Sequence, residues 1–304
     1  MIIAHVSAPA VLAVGPGWRP EVALPLLILA GAYALGQWRL ARRAARSVVP
    51  WRVVSWAVGV LSVAAALLPP LDARAEALFS AHMVQHMLLM MVAAPALLLA
   101  RPFPTLLWAL PARVRGGAGR LLAPGTRLRA LWSALTSPAT AWLLYAVVVW
   151  LWHLPVAYDA ALGHRLLHDL EHLAFFGSAL LFWWPIVAPA PRVRPPVPSG
   201  LRIVYLVLAA FQSGLLGLLL TLSPWALYAP YHETAPIWGF TPEEDQALGG
   251  VVMWAAGGAI DMLAVLTLLY RHLAAEDGPR LAPGARPRPG GWDDESPVVS
   301  PRRQ

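Results

Sequence analysis

Residues 201–222 read LRIVYLVLAAFQSGLLGLLLTL, an apolar run in which Arg202 is the only charged residue. A membrane core about 30 Å thick requires roughly 20 apolar residues to be crossed by an α-helix. A helix suits this environment because it satisfies its own backbone hydrogen bonds. The run therefore predicts a membrane-spanning helix.

Similar runs on both sides of this segment predict a bundle of such helices. Hydrophobic residues make up 58% of the 304-residue chain and charged residues only 13%, whereas soluble domains carry about 25% charged residues. Six further apolar runs lie at residues 22–40, 51–68, 78–100, 138–154, 165–187 and 246–270. The sequence thus predicts an all-α, polytopic membrane protein with seven transmembrane helices.

The placement of arginine predicts how this bundle is oriented. All 23 basic residues are arginine, and 20 of them lie between helices 1 and 2, 3 and 4, 5 and 6, or after helix 7. The remaining three are Arg19, Arg74 and Arg165. Because cytoplasmic loops are enriched in arginine, the N-terminus is predicted to lie outside and the C-terminus in the cytoplasm. The arginines are not interleaved with aromatic residues on one surface, so no nucleic-acid partner is expected.

The predicted membrane domain, residues 22–272, takes up most of the chain. Residues 1–21 are predicted to form an outer N-terminal segment, since their start lacks the basic residues of a signal peptide. Residues 273–304 are rich in Pro, Gly, Asp and Arg and are predicted to be a disordered cytoplasmic tail. Residues 101–137 are predicted to include a short amphipathic helix at the cytoplasmic surface, with a plain loop as the alternative.

Histidines recur at helical spacing in two of the predicted helices. His82 and His86 are four residues apart, as are His168 and His172, so each pair lies along one side of its helix. Ionisable residues inside apolar spans are energetically costly and are therefore candidates for function. The chain has no cysteine, which excludes thiolate ligands. Imidazoles are the expected ligands of a metal ion or a haem.

Four other residues are candidate ligands. His153 lies at the predicted outer end of the fourth helix, and the thioether of Met83 is a soft ligand that suits Cu(I). Asp245 and Met253 lie on the seventh helix and are possible accessory residues. The alternatives are that methionines fill gaps between helices, that the helix dipole favours Asp245, and that His153 belongs to an interfacial aromatic belt.

Acidic residues near the histidines have expected roles as well. Glu171 and Asp169 are expected to orient imidazoles as hydrogen-bond acceptors. Asp261 lies deep in the inner half of the membrane, where proton transfer and a neutral, hydrogen-bonded acid are the two alternatives. His164 is expected to be solvated. No ligand role is assigned to the three remaining histidines, His5, His232 and His272.

Several strings together resemble one family, the CtaG family of cytochrome c oxidase assembly factors, in its multi-helix membrane type. The resemblance extends from about residue 20 to residue 272. It is carried by His82-Met83-Val84-Gln85-His86 with Ala94-Pro95, Trp152-His153-Leu154-Pro155, Glu171-His172 with Phe182-Trp183-Trp184-Pro185, Tyr228-Ala229-Pro230-Tyr231, and Asp245-Gln246 with Gly249-Gly250 and Met253-Trp254.

The resemblance implies a multi-pass protein of the bacterial plasma membrane that helps a haem-copper oxidase to mature and helps copper reach its catalytic subunit. The positions that match the family are His82, His86, His153, His172, Asp245 and Met253; His168 is supported by spacing. The expected protein is not an enzyme. Its expected partners are cytochrome c oxidase subunits and the lipid bilayer. Whether the protein forms a homo-oligomer is left open by the sequence.

Two alternatives remain open from the sequence. Facing histidines also ligate haem b in helical bundles, and both uses require neutral imidazole. A copper or ion transporter is the third hypothesis, and it would need a polar path across the membrane. The leading expectation is Cu(I) bound by imidazoles near the outer face and passed to the oxidase.

Overall fold

The computed structural model describes residues 19–43, 49–121 and 123–276, and every regular element in this part of the chain is helical. In chain order the helices are α1 (Pro20–Arg43), α2 (Pro50–Leu67), α3 (Leu71–Ala75), α4 (Phe79–Leu99), α5 (Pro102–Ala109), α6 (Ala112–Leu121), α7 (Arg127–Leu135), α8 (Pro138–Trp152), α9 (Pro155–Gly163), α10 (Arg165–Val187), α11 (Ser199–Leu222), α12 (Tyr231–Thr234) and α13, from Pro242 to Glu276. His5, most of the expected N-terminal segment and nearly all of the expected tail lie outside the described residues.

Among the described residues, six helices are long and apolar enough to cross a membrane: α1, α2, α4, α10, α11 and α13. The fourth predicted span corresponds to α8, which has 15 residues. At 1.5 Å per residue it is about 22 Å long, which is short of a full membrane core. Joined to α7 across a bend of 63°, it forms a seventh candidate span. The fold is thus a helical bundle with six to seven candidate spans, and its orientation in the membrane stays a prediction.

The segment between α4 and α8 contains three short helices, α5, α6 and α7, where the sequence predicted one. The bend between α7 and α8 occurs at Ser137-Pro138. A residue that precedes proline is disfavoured in helical conformation, so α7 ends here. The Ser137 hydroxyl then accepts a hydrogen bond from the Thr140 backbone N–H and caps α8.

The two helices that carry the histidine pairs lie at the centre of the bundle. Within the most apolar stretch of each helix, 61% of the residues of α4 and 56% of those of α10 are buried, whereas only 11% of those of α1 are buried. Trp183 of α10 donates from Nε1 to the backbone oxygen of Met90 in α4, at 3.0 Å. Large apolar side chains on the outer surface, such as Leu27 and Phe211, are exposed. They are suited to contact lipid.

Two of the helices contain π-helical segments, Leu88–Ala93 in α4 and Val252–Ala256 in α13. Such segments are rare and occur frequently at functional sites, because one extra residue in a turn changes the direction of the side chains that follow.

Close packing of α11 against α13 depends on glycine. A Cβ atom at Gly250 would lie 2.6 Å from the backbone oxygen of Gly217 and 2.8 Å from the backbone nitrogen of Thr221. Neither backbone atom can move away alone, so the two helices would have to separate.

The substitution Gly250→Ala is therefore expected to lower the free energy of unfolding by about 2 kcal/mol, the usual scale of overpacking. Gly258→Ala is the matched control, because Gly258 lies on the same helix and has no atom within 4 Å of its Cβ position. Unfolding in detergent, followed by circular dichroism, measures both. Equal stabilities for the two variants would contradict this account of the packing.

Candidate metal centre

The two histidine pairs face each other across the interface between α4 and α10. The ring centroid of His82 lies 5.1 Å from that of His168 and 5.8 Å from that of His172. The centroids of His86 and His172 are 5.4 Å apart. All four side chains are buried. Helical spacing predicted that each pair shares a face, and the structure adds that the two faces meet.

His153 joins this cluster from the end of α8, with its ring centroid 6.4 Å from that of His86. Its Nδ1 lies 2.7 Å from the backbone oxygen of Val149. A carbonyl oxygen carries no hydrogen, so Nδ1–H donates, and the lone pair of the ring is on Nε2. This is the arrangement of metal-binding histidines, whose second nitrogen donates to a carbonyl or carboxylate.

Glu171 lies inside the cluster, where the sequence predicted a supporting acceptor. It is fully buried, with Oε1 3.8 Å from His86 Nε2 and Oε2 4.0 Å from His82 Nε2. These distances exceed hydrogen-bonding range. Its spacing of three residues from His168 already places Glu171 on the histidine face. Asp169 points elsewhere and forms an ion pair with Arg19.

Nine polar atoms of the cluster are buried without a hydrogen-bond partner. They are Nε2 of His82, His153 and His168, both ring nitrogens of His86 and His172, and both carboxylate oxygens of Glu171. The large majority of buried side-chain polar atoms in proteins have at least one hydrogen-bond partner. So many unpaired donors and acceptors in one place indicate a site that is built to bind something.

A hydrogen-bond chain determines which ring nitrogen of His82 carries the proton. Its Nδ1 lies 2.9 Å from the Tyr158 hydroxyl and 3.0 Å from that of Tyr231, and the two hydroxyls are 3.1 Å apart. Tyr231 donates to the backbone oxygen of Ala75, so its oxygen accepts from Tyr158. All these contacts are satisfied only when His82 Nδ1–H donates. The lone pair of His82 is then on Nε2, inside the cluster.

In the part of the chain that the structure describes, two sets of three side chains could hold an ion. The ligand atoms of His82, His86 and His172 all lie within 4.8 Å of one another, and so do those of His82, His168 and Glu171. Ligand atoms about 2.0 Å from a four-coordinate metal lie about 3.3 Å apart. Small side-chain rotations would bring either set to this spacing.

The accessory candidates fall in two places. Met83 and Met253 are buried and line a cavity together with His86 and His153. Asp245 is not part of the cluster. Its carboxylate accepts hydrogen bonds from the backbone N–H groups of Phe79 and Ser80, and from the Ser80 hydroxyl, at the start of α4.

An open polar pocket of about 570 Å³ lies beside the cluster and shares His168 with it. Its lining includes Arg19, Asp72, Glu76, Asp159, Arg165 and His168. Burial and the charge of Asp72 raise the pKa of Glu76, and burial raises the pKa of Asp159. Because His168 belongs to both the pocket and the cluster, an ion could reach the imidazoles by this route. His164 is exposed, as expected.

Arg19 forms one wall of this pocket. Its guanidinium lies 3.2 Å from Asp72 Oδ1, and the same oxygen accepts a hydrogen bond from Gln85 Nε2 at 3.0 Å. Burial lowers the pKa of Arg19, but the hydrogen bond with Asp169 and the charge of Asp72 outweigh this, and the pKa is raised. The network fixes the start of α1 against α4.

Comparisons with known proteins agree with the resemblance in the motifs. The chain is similar to uncharacterised proteins of Mycobacterium bovis and Mycobacterium tuberculosis, 27% identical over 260 residues, which cover 83% of this chain and 38% of each relative. A Mycobacterium leprae protein is 25% identical over 273 residues, or 86% of this chain and 40% of the relative. The chain thus spans about two fifths of the length of these curated relatives.

No solved structure matches the chain. Residues 31–275, most of the sequence, match the family described as cytochrome c oxidase caa3 assembly factor. This range includes every histidine of the cluster and confirms the family indicated by the motifs. The chain belongs to the cytochrome c oxidase caa3 assembly factor family.

Proposed function

We propose that this protein binds a copper ion, Cu(I), at the imidazole cluster and passes it to a cytochrome c oxidase subunit, as a non-enzymatic assembly factor of the bacterial plasma membrane. The observation that carries the proposal is the set of unpaired, buried imidazole nitrogens that converge from α4, α8 and α10.

The chemistry of the cluster suits copper as cargo. Imidazole binds copper well, and thioethers favour Cu(I) over harder ions. Cysteine, the tightest common ligand of Cu(I), is absent from the chain. A site of imidazoles with one carboxylate would hold the ion less tightly than thiolates, and the polar pocket beside His168 gives it an exit. Both features favour release to a partner.

The same geometry disfavours the haem alternative. A haem with two histidine ligands needs a slot for the macrocycle between the imidazoles. Here the rings of His82, His168 and His172 pack against one another, with centroids 4.3 to 5.8 Å apart. The transporter alternative needs a polar path through the other half of the bundle. The cavity beyond the cluster is lined mainly by methionine and other uncharged residues, with Asp261 as its one acidic lining residue.

The proposal is tested by loading the purified full-length chain with Cu(I) in detergent without oxygen, followed by elemental analysis and an absorption spectrum. Bound copper that survives gel filtration, with no Soret band, is the expected result. A Soret band in protein that retains no copper would instead establish the haem alternative and reject the copper site.

A further inference from the structure

A second cavity adjoins the imidazole cluster on the side away from the polar pocket, and it is lined by thioethers. Five of the seven methionines of the chain contribute to it. They are Met83, Met87, Met90, Met91 and Met253. His86 and His153 form its wall toward the cluster, and Asp261 forms part of the opposite side. The cavity thus shares His86 and His153 with the candidate metal centre.

The backbone of both contributing helices is irregular at this level. Met90 and Met91 lie in the π-helical segment of α4, and Met253 lies in that of α13. A Cβ atom at Gly257 would lie 3.7 Å from Met87 Sδ and 3.8 Å from the methyl carbon of Met91. Both distances correspond to ordinary van der Waals contact, so Met87 and Met91 lie directly beside α13 at Gly257. Gap-filling methionines need no such pair of π-helical segments.

The size and charge of the cavity suit a single monovalent cation. Its volume is about 20 Å³, whereas one water molecule requires roughly 10–15 Å³. Thioethers are neutral, so an ion held by them would carry its full positive charge into the apolar interior. Asp261 is buried, and its Oδ1 has no hydrogen-bond partner. Its carboxylate could balance that charge, which is the common arrangement for charges inside membranes.

We infer that this thioether cavity is a second Cu(I) site, in which methionine sulfurs are the ligands and Asp261 balances the charge. The inference rests on the proposed function only for the identity of the metal. Because His86 and His153 border both sites, an ion could pass between the imidazoles and the thioethers without leaving the protein.

X-ray absorption at the copper edge of the Cu(I)-loaded, full-length chain tests the inference. Two ions per chain are expected, with both nitrogen and sulfur scattering. The triple variant Met87→Leu, Met91→Leu, Met253→Leu conserves side-chain volume and leaves only Met83 and Met90 of the five lining thioethers. It should bind the second ion more weakly and lose most of the sulfur scattering. Met262→Leu is the control, because Met262 lies on the same helix as Met253 but is exposed. It should behave as the wild type.

Two further variants separate the sites. His168→Ala combined with His172→Ala removes imidazoles that do not line the thioether cavity, so the sulfur scattering should persist while one ion is lost. Asp261→Asn should weaken the sulfur-bound ion by about tenfold. Wild-type protein that binds copper without sulfur scattering would overturn the inference, whether or not the triple variant folds. That result would leave the imidazole site intact.

Discussion

Replacement of His86 and His172 together by alanine is expected to weaken copper binding at the imidazole cluster strongly. The two residues provide two of the three ligands of one candidate set. The other set among the described residues, His82, His168 and Glu171, has only two imidazoles. Loss of a single supporting residue around a metal already weakens binding about 10- to 100-fold, so loss of two ligands should weaken it by more than about 100-fold.

The double variant is also expected to fold. Each of the two imidazoles carries two buried nitrogens without partners. Their removal relieves a desolvation penalty, which offsets part of the cost of the space left behind. His164→Ala is the matched control. His164 belongs to the same four-residue repeat as His168 and His172, but its side chain is exposed.

Copper per chain and the activity of the oxidase in cells that carry each variant are the two measurements. The His164 variant should match the wild type in both. A double variant that has lost the ion of the imidazole cluster but supports normal oxidase maturation would show that copper binding at this cluster is not the function of the protein.

The fold was largely predictable because lipid imposes one requirement on every span. An apolar run must be helical and about as long as the membrane is thick, so the run at 201–222 corresponds to Ser199–Leu222 and the run at 165–187 to Arg165–Val187. The bend before Pro138 and the π-helical segments were not predicted. They depend on how neighbouring helices pack, and hydropathy does not report packing.

The site was predictable up to the face of each helix. A spacing of four residues places His82 beside His86 whatever surrounds them. Whether that face meets His172 depends on the rotation of α4 relative to α10, which is decided by packing. The tyrosine chain at His82 was missed for a similar reason, because Tyr158 and Tyr231 lie in short helices far apart in sequence.

Asp245 shows how a residue outside the cluster can control it. Its carboxylate is fully buried, and it accepts hydrogen bonds from the backbone N–H groups of Phe79, at 2.6 Å, and Ser80, at 3.2 Å. The first N–H groups of any helix lack partners within the helix, and a negative charge at this end is favoured by the helix dipole. Asp245 thus joins the first turn of α13 to the first turn of α4, directly before His82.

Asp245→Ala is therefore expected to lower the free energy of unfolding by about 4 kcal/mol, since each buried donor left without an acceptor costs about 1–3 kcal/mol. Asp245→Asn retains one acceptor oxygen and should lose less. Glu243→Ala removes an exposed carboxylate from the same turn and should change little. Unfolding in detergent and copper per chain measure the effects. Because the start of α4 positions His82, the copper affinity of these variants should fall in the same order as their stability. An unstable Asp245→Ala variant that binds copper normally would show that Asp245 does not influence the metal site.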